Sequence, residues 1–279
     1  MKALARMLLS CWAASAACQL QAEPADTPAD SPDTDEAVSP WRIGAAFGYG
    51  ERSNPLIQSE PIPVVVDVDI AWFGKRWFFD NGDLGFTLRD YSRGTLNLIA
   101  RVNSDRVFFG RTNTQIVSIG TDGSQLPEPV PLRVPDRDYA VELGLEWLAE
   151  GRWGKLTVAG FHDVSRTHDG FSVDAEFAYP WYRARWTVEP TMMLRYKSAA
   201  LNDYYWGVDA AEASSALLAY TVGSGFNWQL GARASYYFSS HLRLAAGINY
   251  ERLNDAAAAS PLVRDPDVTA FFAGLAYQF

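Results

Sequence analysis

The chain has 279 residues, of which 48% are hydrophobic and 14% aromatic, and its formal net charge is −9 at pH 7. This length suits one large folded domain, and the acidic balance argues against a protein that binds nucleic acid. No apolar run of about 18 residues follows the N-terminal region, which excludes a helical membrane protein.

The N-terminal region has the pattern of a secretory signal. Lys2 and Arg6 precede a short apolar stretch at residues 7–17, and small residues suited to cleavage follow it. We expect a signal peptide over residues 1–22, cleaved after Ala22; an earlier cut after Ala16 fits the pattern as well. The sequence therefore predicts export across the inner membrane.

Both cysteines, Cys11 and Cys18, fall inside this signal window. The mature chain is therefore expected to have no disulfide, no thiol nucleophile and no cysteine metal site. The residues before Cys18 also resemble a lipoprotein cleavage box, although Ser15 stands where such a box has a large apolar residue.

Residues 23–40 are expected to form a disordered periplasmic tail. They contain six acidic residues, no basic residue and four prolines. Such a segment holds too little apolar surface to fold on its own. The sequence therefore predicts that the folded domain occupies residues 41–279.

Apolar and polar residues alternate repeatedly in this domain, in segments of about ten residues. In the segment 64–72 the even positions are apolar, whereas Asp67 and Asp69 lie on the opposite face. The last nine residues alternate in the same way and end on an aromatic residue, as the closing strand of an outer-membrane barrel does. From this strand we predict an assembly signal formed by Phe271, Leu275, Tyr277 and Phe279.

The alternation predicts an all-β fold, an antiparallel transmembrane outer-membrane β-barrel of about twelve strands. Short connections, such as 73–74, 91–93, 150–152, 180–182 and 239–240, fall on the periplasmic side, and long loops fall outside. We expect this protein in the outer membrane of a Gram-negative bacterium. The predicted strands lie approximately at 41–50, 61–72, 75–80, 83–90, 94–103, 137–149, 153–162, 170–179, 183–197, 224–238, 241–253 and 267–279.

Three outer connections are long, at about 104–136, 198–223 and 254–266. Loops of this length are usually functional or disordered. The second loop holds an aromatic triplet, Tyr204, Tyr205 and Trp206, which would be costly to expose unless it packs into the barrel mouth or binds a ligand. We therefore predict that these residues form a mouth or plug loop.

The same loop also contains a helix signal. Asp209 is followed three residues later by Glu212, the spacing of a reciprocal capping pair. The sequence therefore predicts a short helix from Asp209 through Leu218.

The inner faces of the strands are rich in charge. One interpretation is a channel for polar solutes whose selectivity the charged wall sets. The other, which we favour, is a set of ion pairs that hold the wall together. By alternation, nine cations and eight anions are assigned to the lumen: Arg42, Arg89, Arg101, Arg183, Arg185, Arg195, Lys197, Arg233 and Arg243, with Asp67, Asp69, Glu142, Glu146, Asp174, Glu176, Glu189 and Glu251.

Two histidines lie in one outer connection, each followed by an aspartate. The pairs are His162 with Asp163 and His168 with Asp169, and Ser165 lies between them. A hydrolase at the barrel mouth or a metal site would use such residues. A polar surface loop is the favoured interpretation, because nothing in the sequence fixes their geometry. We predict no catalytic residue, no metal site and no cofactor.

Several short segments together resemble those of one known family. They are PIP at 61–63, RWFF at 76–79, YYWGV at 204–208, GSG at 223–225, RLND at 252–255, SPLV at 260–263 and GLAYQF at 274–279. In order and spacing they resemble the MipA/OmpV family of Gram-negative outer-membrane proteins, also called the MltA-interacting protein family. The resemblance covers essentially the whole mature chain.

This resemblance implies a non-enzymatic barrel. The founding member of the family is a scaffold that joins a lytic transglycosylase to a murein synthase, and other members are described as adhesive surface proteins. The expected partners are outer-membrane lipid and lipopolysaccharide, the barrel-assembly machinery and, through the resemblance, those two peptidoglycan-remodelling enzymes. A channel or receptor for small polar solutes and a surface adhesin remain alternatives, and a barrel-mouth hydrolase is the least favoured.

Overall fold

The computed structural model describes residues 39–110, 134–214 and 217–279. The predicted signal peptide and almost all of the predicted acidic tail lie outside these residues. The described strands are β1 (Trp41–Arg52), β2 (Ile62–Phe73), β3 (Trp77–Asp80), β4 (Asp83–Tyr91), β5 (Gly94–Val102), β6 (Val141–Gly151), β7 (Gly154–Asp163), β8 (Phe171–Ala178), β9 (Trp181–Arg183), β10 (Trp186–Lys197), β11 (Gly225–Tyr237), β12 (Leu242–Arg252) and β13 (Asp267–Gln278).

These strands form a closed antiparallel barrel with twelve places around its wall. Neighbouring strands pair in chain order, and β13 returns to pair with β1 from Gly44 opposite Gln278 to Arg52 opposite Ala270. The short β9 shares one place with β8, because both pair with β10 at different heights. The predicted twelve-stranded barrel is therefore confirmed. Closure leaves no free first or last strand, which suits a wall that spans lipid.

Side chains alternate between lipid and lumen along each strand. On β12, Leu244 and Ile248 are exposed on the outer face, while Arg243 lies opposite the buried Ala276 on the inner face. Aromatic pairs mark both ends of the wall. Trp41 packs on Trp72 at the end with the short turns, as interfacial girdles do in this class. Tyr49 and Phe271 pack together near the other end.

Because of a bulge in β1, the predicted orientation of one side chain of β2 is wrong. The register with β2 shifts between Phe47 and Gly50, and this shift turns Val64 into the barrel interior, where it is buried. Val66, Val68 and the apolar residues after them keep the predicted outward orientation. The strict even-position pattern therefore fails only above the bulge.

One periplasmic turn lies elsewhere than predicted. The chain turns at residues 184–185, where Ala184 has a positive φ of 51°, and not at 180–182. Pro180 has no N–H to donate, so the pairing of β8 with β10 is interrupted there, and β9 resumes it nearer the periplasm.

The outer connections contain short helices. A 3-10 helix (Ser104–Gly110) follows β5, α1 (Ala199–Trp206) follows β10, and α2 (Asp255–Ala258) follows β12. Of the predicted helix from Asp209 through Leu218, the described residues form a single turn that begins at Asp209, and residues 215–216 lie outside them. The helix of this loop, α1, lies earlier in the chain. In the described parts of the chain, no helix has the length and apolar character needed to cross a bilayer.

Candidate functional site

The outer loops carry a hydrophobic cluster of their own, which we call the mouth core. Its centre is the pair Tyr205 and Trp206 at the end of α1, both with no exposed surface. Four outer connections contribute buried side chains to it: Leu56, Phe108, Phe109, Val134, Leu201, Tyr205, Trp206, Val208, Leu217, Val222, Leu253, Ala257 and Leu262. The structure thus places two of the three predicted plug aromatics inside an apolar cluster over the lumen.

Contacts between loops tie the mouth core across the barrel opening. The rings of Phe108 and Trp206, from the connections after β5 and β10, lie 5.8 Å apart. The hydroxyl of Ser260, after β12, donates to the backbone carbonyl of Trp206 at 2.5 Å. The amide of Asn54, after β1, donates to the carbonyl of Phe108. Strands from opposite sides of the wall are therefore joined through one set of packed loops.

The loop after β10 is fixed by polar contacts as well. Asp203 accepts hydrogen bonds from the backbone N–H groups of Val222 and Gly223, which returns the loop to the start of β11. Burial raises the pKa of the Tyr205 phenol, so it stays protonated and can donate to the carbonyl of Asp138. This loop is held at both ends and along its length.

A second polar clamp joins the same loop to the segment before β6. The guanidinium of Arg137 donates to both carboxylate oxygens of Glu212, and to the carbonyl of Gly207 at 3.1 Å. These hydrogen bonds from Arg137 lower the pKa of the Glu212 carboxyl. The clamp therefore holds Gly207, the residue after Trp206, whose carbonyl Ser260 binds.

Below the mouth core, the inner wall carries a chain of ion pairs. Arg101 donates to Glu142 at 2.8 Å and to Asp174 at 3.1 Å, and Arg195 binds Asp174 with two hydrogen bonds. The chain runs from β5 to β10 along one side of the wall. The carboxylate of Glu142 has no exposed surface and also accepts from the side-chain amide of Asn103. This arrangement resembles a set of ion pairs that hold the wall together more than the open charged ring of a channel.

The lower lumen holds separate ion pairs near the periplasmic end. Arg42 lies 3.3 Å from Asp69 and 3.4 Å from Asp80, and Arg233 lies 3.2 Å from Glu189. A small depression that is open to solvent lies at this end and is lined in part by Asp67, Asp69 and Arg243. Charges of both signs therefore line this depression.

The inner face contains most of the charges that alternation assigns to it. Arg42, Asp67, Asp69, Arg101, Glu142, Glu146, Asp174, Glu176, Glu189, Arg195, Lys197, Arg233, Arg243 and Glu251 all lie on the inner face of their strands. All eight assigned anions are in this set. Three of the nine assigned cations are not, and each has a local reason.

Arg89 points outward because a bulge between Thr87 and Arg89 shifts the register of β4. Arg89 then lies opposite Leu96, and its guanidinium stacks on the ring of Tyr91 at 5.2 Å. Arg183 lies opposite the exposed Trp186 across the turn at 184–185. Arg185 sits within that turn. All three arginines are exposed at the periplasmic end of the barrel.

Several interior charges were missed by the sequence reasoning. Arg52 lies 3.9 Å from Glu251, and its guanidinium stacks over the ring of Phe108 at 4.5 Å. Asp80 belongs to a strand of only four residues, too short to show an alternation. Asp105 lies in the 3-10 helix and reaches Lys197 on the wall. Arg52 continues the alternation of Arg42 on β1 but lies beyond the predicted end of that strand at residue 50. Asp80 and Asp105 have no periodic signal, because one lies in a short strand and the other in an inward loop.

The connection that contains His162 and His168 is held by hydrogen bonds to one carboxylate, that of Asp163. Both oxygens of the Asp163 carboxylate accept hydrogen bonds, among them those of the Ser165 hydroxyl and the N–H groups of His168 and Asp169. The Nδ1 atom of His168 accepts from the N–H of Gly170, and Nε2 lies 3.5 Å from Glu142. Asp163 therefore holds the backbone of this loop. Within the described residues, no group of three or more His, Cys, Asp or Glu could hold a metal.

The predicted assembly residues share one face of β13. Phe271, Leu275 and Tyr277 are exposed on the lipid side, and Phe279 is 76% exposed. The N–H of Phe279 donates to the carbonyl of Ile43, so the terminal residue still belongs to the seam with β1. The ring of Tyr277 packs edge-on against that of Phe279 at 5.1 Å.

Comparison with solved structures returns other outer-membrane barrels. The NanC porin is similar with a TM-score of 0.43 and 8% identity, over 85% of this chain and 100% of that chain. OmpT of Vibrio cholerae gives a TM-score of 0.36 and 8% identity, over 86% of this chain and 97% of that chain. At such identities the likeness concerns the fold alone.

Comparison with known sequences is more specific. The chain is 21% identical to the outer membrane protein YiaT of Escherichia coli K12, over 87% of this chain and 92% of the relative. It is 28% identical to OmpV of Vibrio cholerae, over 62% and 69%. It is 27% identical to the MltA-interacting protein of Escherichia coli K12, over 52% and 58%.

A family profile described as MltA-interacting protein MipA matches residues 43–279, which is the described barrel except the first two residues of β1. The match begins just inside β1 and ends at the last residue of the closing seam. The predicted resemblance and the outer-membrane location are thereby confirmed. This chain is an outer-membrane β-barrel that belongs to the MltA-interacting protein (MipA) family.

Proposed function

We propose that this chain is a non-enzymatic interaction protein, which holds a peptidoglycan-remodelling enzyme, a lytic transglycosylase or a murein synthase, at the outer membrane. The observation that carries this proposal is the mouth core. A diffusion pore needs a continuous wet path, whereas here Tyr205 and Trp206 are fully buried among apolar side chains from four loops. A barrel closed at its outer end is better suited to anchoring than to transport. The name of the MltA-interacting relatives gives the partner class.

The wall below the mouth core supports the same interpretation. The ion pairs from Glu142 through Arg101 and Asp174 to Arg195 link β5, β6, β8 and β10 and satisfy each other. Buried charges that are paired in this way stiffen a barrel and offer few free groups to a moving solute. In the loop between His162 and Asp169, the carboxylate of Asp163 accepts from backbone N–H groups of the same loop, which supports a structural role for it.

A conductance measurement tests the closed state. The intact protein in planar bilayers should conduct weakly or not at all, and Trp206→Ala or deletion of residues 204–218 should create or enlarge an open state. Leu218→Ala is the matched control, because this residue of the same loop is 72% exposed. Steady, porin-like conductance from the intact protein would make the channel the leading function.

A capture experiment tests the partner. The immobilised processed protein should retain a lytic transglycosylase or a murein synthase from a solubilised envelope, and removal of residues 23–40 should weaken that capture. A boiled, unfolded sample of the same protein is the control for nonspecific adsorption. If neither enzyme is retained by the folded barrel, the interaction function has no support.

A channel for small polar solutes is the second candidate, and one observation favours it. The depression at the periplasmic end is lined by Asp67, Asp69 and Arg243, so opposite charges face water there. Such a vestibule could select solutes if the mouth core opened. In that case Asp67→Asn should change the ion selectivity of the open state that Trp206→Ala creates.

A further inference from the structure

The periplasmic end of the barrel carries an uneven distribution of charge. Seven cations lie in or next to four of its five short turns, and all are exposed: Lys75, Arg76, Arg89, Arg93, Arg152, Arg183 and Arg185. We call this set the basic rim. The fifth turn, between β11 and β12, has two serines and His241.

Few carboxylates neutralise the basic rim. In these described turns and the strand residues beside them, the exposed acids are Asp90 and Glu150, and Glu150 already lies 3.9 Å from Lys155. Among the described residues, no ion pair involves Lys75, Arg76 or the other turn cations. Exposed like charges at this density produce a positive potential that attracts an anionic partner.

An anionic segment of the same chain joins the barrel beside the basic rim. Residues 23–38 contain six acids and no base, and they lead directly into Ser39 and Pro40. The carbonyl of Pro40 accepts from the N–H of Phe73, one residue before the turn that holds Lys75 and Arg76. The acidic segment therefore leaves the barrel beside the first basic turn.

We propose that the basic rim is the docking surface for the acidic segment at residues 23–38 of the same chain. Sixteen residues can extend about 50 Å, which is long enough to reach the other basic turns. Tethering gives the segment an effective concentration in the millimolar range, so weak charge contacts suffice. The six acids of the segment are also close in number to the seven cations of the rim. This inference rests on the geometry and charge of the rim and is independent of the proposed partner.

While the acidic segment is docked, the basic rim is not free to bind another partner. A partner with an acidic surface, or one that binds the acidic segment, would have to displace one half of the pair from the other. Because the contact is electrostatic and exposed, added salt should weaken it strongly.

Distances between spin labels test the docking in the folded protein. Ser31→Cys labels the acidic segment and Ser92→Cys labels the basic turn next to Arg93, in a processed chain expected to have no other cysteine. The protein is placed in nanodiscs of phosphatidylcholine, and in a second set that contains phosphatidylglycerol. We expect a short-distance population in both lipids, and its loss at about 1 M NaCl, where the screening length falls to about 3 Å.

Rim substitutions and a matched control complete the test. The variant Lys75→Gln, Arg76→Gln, Arg93→Gln, Arg152→Gln should lose the short distances while keeping the heat-modifiable migration of a folded barrel. Arg166→Gln with Arg264→Gln removes two cations from the outer loops and should leave the distances unchanged.

Three outcomes would overturn the proposal. One is a broad distance distribution in phosphatidylcholine at low salt, and another is a short distance that does not respond to the rim substitutions. The third is loss of the short distance in phosphatidylglycerol, which would assign the rim to lipid headgroups. Each result is obtained without any murein enzyme, so it is separable from failure of the capture experiment.

Discussion

The ammonium of Lys197 lies 2.8 and 2.7 Å from the two carboxylate oxygens of Asp105, and both side chains are almost fully buried. Lys197 ends β10, whereas Asp105 lies in the first turn of the 3-10 helix after β5. This one ion pair therefore fixes an outer loop to the barrel wall, directly below the mouth core. The ring of Trp206 lies 6.0 Å from the same ammonium.

Replacing Lys197 by Met should release the 3-10 helix from the wall. The remaining Asp105 would be a buried charge without its partner, which costs about 3 to 5 kcal/mol. Hydrogen exchange at residues 104–110 should accelerate, and the free energy of unfolding should fall. The double variant Lys197→Met, Asp105→Leu should recover much of the loss, because both charges are gone. Additive losses in the double variant would show that the pair is not the cause.

The two faces of β12 should respond differently to a new charge. Leu244→Arg or Ile248→Arg places a cation on the lipid-facing side of the wall and should cost about 2 to 4 kcal/mol near the midplane. Asn249→Asp, on the inner face, should cost much less. Folding titrations into lipid vesicles measure the difference, and equal costs on the two faces would mean that the register of this strand is wrong.

Deleting Phe279 should impair assembly of the barrel. The deletion removes a hydrogen bond to Ile43 and an exposed aromatic ring at the end of the closing strand. The seam between β13 and β1 must form before the barrel has no free edge. We expect periplasmic, protease-sensitive protein in place of the heat-modifiable form. Normal insertion of the shortened chain would contradict the predicted role of this residue.

The clamp between Arg137 and Glu212 should weaken in acid. Hydrogen bonds from Arg137 lower the pKa of Glu212 below its ordinary value of 4.5. Its contribution to stability is therefore complete above that ordinary pKa and is lost as the pH falls through the lowered, folded-state pKa. Proteolysis of the loop around residue 210 should accelerate at such pH values. Glu212→Gln should show fast cleavage at neutral pH and a weaker dependence on acid, and an unchanged profile would contradict the clamp.

The strand pattern was largely predictable because membrane barrels impose one rule on every strand. Lipid outside and water inside give a period of two, which located the twelve places in the wall and the inward position of Glu142 or Arg195. The alternation fails where a β-bulge adds one residue to a strand. The bulges at Phe47/Gly50 and Thr87/Arg89 reverse the faces of Val64 and Arg89, and no local residue type announces them.

The mouth core was harder to predict, for a different reason. Its members come from four connections that are distant in sequence, and each loop alone lacks a repeating pattern. The aromatic triplet gave a signal, because exposed Tyr205 and Trp206 would be costly. The helix was predicted too late in the loop. Glu212 does accept from the N–H of Asp209, as the capping spacing predicts, and it also binds Arg137, but only one turn forms there.

The four-residue strand β3 also determines where the wall is mechanically weakest. Its ladder with β2 runs only from Ala71 to Phe73, whereas the ladder between β10 and β11 runs from Trp186 to Lys197. In a closed barrel, the hydrogen bonds between neighbouring strands share any force that pulls the wall apart. The wall should therefore break first between the two strands that share the fewest hydrogen bonds. A barrel pulled from its N-terminus by a tip in force spectroscopy should therefore release β1 and β2 together, as one hairpin, before the strands from β4 onward separate.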